Sequence, residues 1–276
     1  GDLTFFQDGF GEVDALALCT ATYVELDQIV PDNFTETVTF YEAAHKLEQH
    51  LEDSKYNKIG LIIPEDVIDL FLNMARCPRY KNLRLCGYIN HIDEKAEKQF
   101  AAVTFQNDNG EIYIVYRGTD DTIVGWREDF NMAFLDVLPA QKEACVYYRK
   151  VLQSMKGRVR LMGHSKGGNL AVYSAVHGGK TGQKRLLKVY SMDGPGFHEE
   201  FLQLEAYQNI AEKVLWYMPY ESIIGTVLMH GCNEFIVKSS AKGIMQHNPL
   251  SWMICQNRFV KEKHLSKEAV LAHLAI

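Results

Sequence analysis

The 276-residue chain has no surplus of positive charge. Twenty-nine Lys and Arg stand against 35 Asp and Glu, for a net charge of −6, so no basic footprint points to nucleic acid. No uncharged apolar run reaches the roughly 18 residues that a membrane span needs. Gly1 to Phe5 carries neither the basic n-region nor the apolar h-region of a secretory signal. No two of the six cysteines (Cys19, Cys77, Cys86, Cys145, Cys232 and Cys255) form a C-x-x-C pair. Zinc-ligand spacing and a dense disulfide framework are therefore not expected, and reduced thiols in a cytoplasmic protein are. No repeat, low-complexity tract or Pro/Gly/Ser linker divides the chain. A single domain spanning residues 1–276 is expected, with residues 1–80 forming a helical part packed on a sheet rather than an independent unit.

What is present is ordinary for a globular protein: 47% hydrophobic and 23% charged residues, enough for a large core. Apolar spacing predicts helices over Asp14–Leu26 and Val38–Leu51, and Pro64 followed by acids is a helix-start signal. Near Asn82 the texture changes. Leu83–Ile92, Gln99–Phe105 and Glu111–Tyr116 read as strands, the last two joined at Asn107-Asp108-Asn109-Gly110.

Beyond this point the chain alternates. Strands are expected at Val159–Met162, Leu187–Met192, Lys213–Tyr217 and Glu234–Lys238. Helical runs are expected at Pro139–Met155, Asn169–Val176, Glu199–Tyr207, Ile223–Met229 and Lys267–Leu274. Such alternation predicts an α/β fold with a mixed, mainly parallel central sheet, helices on both faces and antiparallel strands at one edge.

The most informative stretch is Gly163-His164-Ser165-Lys166-Gly167-Gly168. It is a G-x-S-x-G pentapeptide between a strand and a helix, the setting of a nucleophile elbow. Ser165 would stand on a strained turn with Oγ clear of the backbone, and the glycines would let strand and helix approach closely.

A serine hydroxyl needs a general base, and the base needs an orienting acid. In α/β-hydrolases the chain order is Ser, acid, His, which leaves His177, His198, His230, His247, His264 and His273. His247, in the turn Gln246-His247-Asn248-Pro249 after the last long strand, is the expected base. Glu221, which follows the second strand beyond the elbow, is the preferred acid. Asp193 in Asp193-Gly194-Pro195-Gly196, one strand beyond it, is the alternative. The backbone N–H groups of Lys166 and Thr119 are the expected oxyanion donors.

Tyr116-Arg117-Gly118-Thr119, then Trp126 and Asp129, then the elbow, resemble the signature set of class 3 lipases. The chain is more similar still to a bacterial hydrolase-like family of unknown function related to them. That likeness includes Phe10 to Leu16, the Asp193 turn and the Gln246-His247 loop. The resemblance implies an α/β-hydrolase fold and esterase- or lipase-like chemistry. It also implies a lid over Thr122–Leu138, with Trp126 near its hinge.

Two departures stand out. The lipases carry Asp where this chain has Glu221, and an apolar residue where it has Lys166. Lys166, with Asp120 and Asp121, is expected near the mouth, favouring small and partly polar esters.

The expected function is a serine hydrolase that cleaves a carboxylic ester with no metal or organic cofactor. The substrate is a small-molecule ester, and neither nucleic acid nor a transmembrane segment is involved. The alternatives are a non-catalytic binding protein of the same fold, or an acyltransferase or thioesterase using the same residues. No feature of the sequence fixes an oligomeric state.

Overall fold

The structure is a computed structural model that describes residues 1–52, 66–93, 98–119 and 137–274. Pro64, Asp120, Asp121, and the part of the expected lid that holds Trp126 and Asp129 lie outside the described residues.

Among the described residues the sheet runs β1 (Val38–Thr39), β2 (Arg84–Asp93), β3 (Lys98–Gln106), β4 (Ile112–Tyr116), β5 (Val159–His164), β6 (Leu186–Met192), β7 (Val214–Pro219) and β8 (Asn233–Val237). Strands β4 to β8 are parallel, and β1 to β4 pair antiparallel. The β3–β4 hairpin closes at the expected turn, where Gly110 takes a φ of +78°. Two short strands, β9 (Ile254–Cys255) and β10 (Arg258–Phe259), form a separate ribbon, and β11 (Lys261–Glu262) adds antiparallel to β8.

The central strands are buried on both faces, as parallel strands under crossover helices must be. Their period of two sorts the side chains into two cores. Tyr113 and Val115 of β4 face one core, with helices α1 (Glu12–Ala21), α2 (Phe40–Glu52) and α3 (Asp66–Arg76). Ile112, Ile114 and Tyr116 face the other, with α4 (Pro139–Ser154) and α5 (Lys166–Val176). Helix α1 carries apolar residues nearly all round, which suits a helix laid between the sheet and the outer α3.

Arg79 does most to tie down the N-terminal residues. Arg79 donates to the carbonyls of Leu3, Asp8 and Gly9 and pairs with Asp14 at 2.6 Å, with both partners buried.

Several local expectations differ from the structure: Val38 and Thr39, expected to start a helix, form β1, and the helix expected over Asp14–Leu26 ends at Ala21. Ile223–Met229 forms only a 3-10 turn at Ile224–Thr226, because Gly225 turns its N–H to Asp193 at 3.1 Å. Glu199–Tyr207 divides into short helices Glu199–Leu202 and Glu205–Gln208. Gly179–Arg185 is helical where no helix was expected.

Candidate active site

The site is built at the carboxyl ends of β5 and β6. Strand β5 ends at His164, and α5 begins at Lys166, so the whole turn falls on Ser165. Its backbone sits at φ 58°, ψ −133°, a strained conformation for a residue with a side chain. The turn is feasible only because nothing larger than hydrogen stands at Gly163. A Cβ there would lie 2.1 Å from the carbonyl carbon of Gly167. The Ser165 N–H donates to the Met192 carbonyl of β6 at 2.9 Å. The strand, sharp turn and helix expected around Ser165 are present.

The carboxylate beside His247 is not the one preferred on sequence grounds but the alternative, Asp193. Met192 pairs with His164 across the parallel β5–β6 ladder, so Asp193 stands level with Ser165 on the adjacent strand. Asp193 has a φ of 50° and is 1% exposed. Its Oδ1 accepts from the Ser222 hydroxyl and from the Gly225 N–H, and its Oδ2 bonds His247 Nδ1 at 2.7 Å.

Glu221, the preferred acid on sequence grounds, is not on His247. Its carboxylate accepts from Gly243 N–H at 2.6 Å and Gln246 Nε2 at 2.7 Å, and its own N–H donates back to Gln246 Oε1 at 3.0 Å. Glu221 therefore clamps the loop that carries His247. The physical reason is reach: its carboxylate is taken up by the amides of residues 243 and 246 just before the histidine.

His247 closes a 3-10 turn, Gly243–His247, held further by Trp252 Nε1 on the Gln246 carbonyl at 2.9 Å. Its ring centroid lies 4.5 Å from that of His164, the residue before the elbow serine. The loop thus brings Ser165, His247 and Asp193 into one neighbourhood.

Lys166 opens α5, where backbone N–H groups point out toward the helix N-terminus. The expectation of its charge at the mouth is corrected. The side chain is 1% exposed and runs to β3, where Nζ donates to the Gln99 carbonyl at 3.1 Å and to Gln99 Oε1 at 3.3 Å. Thr119 is half-buried, at the end of the loop that leaves β4. Gly118 before it is packed against the elbow, since a Cβ there would lie 3.0 Å from Ser165 Cβ.

Of the other histidines after the elbow, His230 stacks on Trp216 with centroids 4.3 Å apart, and His177 stacks on Tyr173 at 4.2 Å. Among the described residues no group of three or more His, Cys, Asp or Glu could hold a metal ion.

A serine at positive φ between a central parallel strand and its crossover helix, with Asp193 just past the next strand and His247 in the loop beyond β8, makes this an α/β-hydrolase fold. A family model described as Mbeg1-like matches residues 74–276. The chain belongs to the Mbeg1-like family. No protein of curated function matches it in sequence.

Among solved structures it is similar to a fungal lipase in an inhibitor complex, at 14% identity over 82% of this chain and 80% of that one, with a TM-score of 0.47. It is similar also to Rhizomucor miehei lipase in its propeptide complex, at 13% identity over 96% and 78%, with a TM-score of 0.47. A triacylglycerol lipase from Penicillium expansum matches at 13% identity over 70% and 86%, with a TM-score of 0.37. The fold assignment rests on the strand order and the elbow rather than on these distant likenesses.

Sequence reasoning missed Ser222 and Gly225, which hold the Asp193 carboxylate, and Asn169, whose Nδ2 donates to the Pro195 and Gly196 carbonyls at 3.2 and 3.0 Å. The signal for Asn169 was its place one turn after the elbow serine; Ser222-x-x-Gly225 gave no local signal of its distant partner.

Proposed function

We propose that the protein is a serine hydrolase that cleaves carboxylic esters through an acyl-enzyme. Ser165 attacks the carbonyl carbon, and His247 Nε2 takes the hydroxyl proton. Asp193 holds the imidazole by its Nδ1–H and stabilises the imidazolium that forms. The tetrahedral oxyanion is received by the backbone N–H groups of Lys166 and Thr119. Collapse expels the alcohol, which leaves with the proton from His247. Water, activated by the same imidazole, then releases the acid.

The observation that carries this reading is the 2.7 Å bond between His247 Nδ1 and a buried Asp193 carboxylate, beside a serine at φ 58°. An orienting acid, a histidine and a strained serine in one neighbourhood are what activation of a hydroxyl requires, and a binding scaffold needs none of the three. The test is hydrolysis of p-nitrophenyl esters of increasing acyl length by the wild-type protein and by Ser165→Ala. Turnover lost with Ser165→Ala on every ester the wild type cleaves is the expected result. Equal turnover by the two proteins would contradict it. Added alcohol that diverts product from acid to a new ester would instead identify an acyltransferase.

A further inference from the structure

The mechanism leaves one buried chain of polar groups unused. The imidazole of His164, directly before Ser165, is 3% exposed and bonded at both ring nitrogens. Nε2 lies 2.8 Å from the main-chain carbonyl oxygen of His247, and Nδ1 lies 2.8 Å from the Tyr23 hydroxyl.

The carbonyl can only accept, so Nε2 carries a hydrogen and donates. Burial, and then the neighbouring His247 imidazole, push the His164 pKa well below its ordinary value, so the ring is neutral. In a neutral ring with its hydrogen on Nε2, Nδ1 is an acceptor, and the Tyr23 O–H must donate to it. The network therefore has one direction of donation, from Tyr23 through His164 to the backbone of His247.

Tyr23 also touches the opposite side of the site. A Cβ on Gly118 would lie 2.3 Å from the Tyr23 hydroxyl oxygen, 2.6 Å from the His164 carbonyl oxygen and 3.0 Å from Ser165 Cβ. The phenol thus stands where the loop leading to Thr119, the elbow and the histidine loop meet. It comes from just beyond α1, before the stretch that the Mbeg1-like family model matches, residues 74–276.

We infer that Tyr23 and His164 are positioning residues that set the depth at which the His247 loop sits over the elbow, so that the N-terminal helical layer completes the active site. This rests on the reading of Ser165, His247 and Asp193 as a catalytic set. His164 acts through the backbone of His247, and Tyr23 through His164. Asp193 fixes the imidazole at one ring nitrogen, and Glu221 and Trp252 fix the loop just before it, at Gly243 and Gln246. The carbonyl of His247 is the remaining point at which that residue could tilt, and a displacement of about 1 Å in such a group can cost about a hundredfold in rate.

The test compares His164→Leu, His164→Gln and Tyr23→Phe in the full chain, with kcat and KM measured on one ester that the wild type cleaves. Leucine fills space but donates nothing. Glutamine presents an amide N–H at about the place of Nε2. The expected result is a kcat for His164→Leu lowered about 10- to 100-fold with KM little changed, and a kcat for His164→Gln restored most of the way. Tyr23→Phe, which removes a single oxygen, lowers kcat in the same pattern if the chain of donation is as described. Wild-type kcat in His164→Leu, or no difference between leucine and glutamine in folded proteins, would overturn the inference while leaving the triad in place. A wild type that cleaves no ester and takes no phosphonate label would overturn the reading of the site, and the role of the network with it.

Discussion

Asp193 and Glu221 show how two carboxylates of similar chemistry take different roles. Asp193 is buried at a left-handed φ of 50°, its Oδ1 saturated by Ser222 and Gly225 and its Oδ2 given to His247. Glu221 spends its carboxylate on the Gly243 N–H and the Gln246 amide. Asp193→Asn should lower kcat by about 10⁴, since an amide in that place favours the wrong imidazole tautomer. Glu221→Gln should act mainly through loop order, with a far smaller loss. Steady-state kinetics of both variants on one ester checks this, and the reverse order of losses would return the acid role to Glu221.

His164 adds a pH dependence of stability. Its pKa is held well below 6.5 first by burial and then by His247, against the opposing effect of its bond to the His247 carbonyl. The unfolded chain takes up a proton at this residue below 6.5 and the native protein does not. Stability is therefore lost as pH falls through 6.5, by at most about 1.4 kcal/mol per pH unit from this group, and is constant above it. Urea unfolding of wild type and His164→Gln should give stabilities whose difference, wild type minus variant, shrinks as pH is lowered from about 7.5 to about 5.5. A difference independent of pH would contradict the neutral ring.

At the scale of elements, the turn Ser222–Thr226 behaves as a cradle for the acid. A Cβ on Gly225 would lie 2.3 Å from Asp193 Oδ1 and 2.8 Å from Ser222 Oγ. Gly225→Ala should therefore displace the carboxylate and lower kcat with little change in KM, although the residue touches no substrate. Unchanged kcat in a folded Gly225→Ala protein would show that the acid tolerates the shift.

The same elements explain what the sequence made legible. The turn at Ser165 is local: strand, glycine, serine, glycine and helix follow one another, so its geometry is readable from the sequence. The hairpin at Asn107–Gly110 and the alternation after Pro139 are local too. Which carboxylate meets His247 is not local, because it depends on the β5–β6 register that sets Met192 beside His164 and on Gln246 drawing off Glu221. The loop position of His247 was readable, whereas the contact of Tyr23 with His164 spans 141 residues and leaves no periodicity behind. Lys166 was misjudged because the residue after an elbow serine can turn its side chain inward along the sheet, here to Gln99.

Across the whole molecule, two cores pack on opposite faces of one sheet beneath the site. Helices α4 and α5 brace β5 from one side, and α1 and α3 lie on the other. The strain at Ser165 is sustained by this burial: β5 carries Leu161 and Met162 fully buried on opposite faces. On the reading proposed above, this strain serves an activated nucleophile. The most direct measurement is labelling of the intact protein by a fluorophosphonate, followed by mass spectrometry of its peptides. The structure predicts a single phosphonyl adduct on the peptide containing Ser165, absent from Ser165→Ala and strongly slowed in Asp193→Asn. A wild-type protein that remains unlabelled, or is labelled equally in Ser165→Ala, would contradict it.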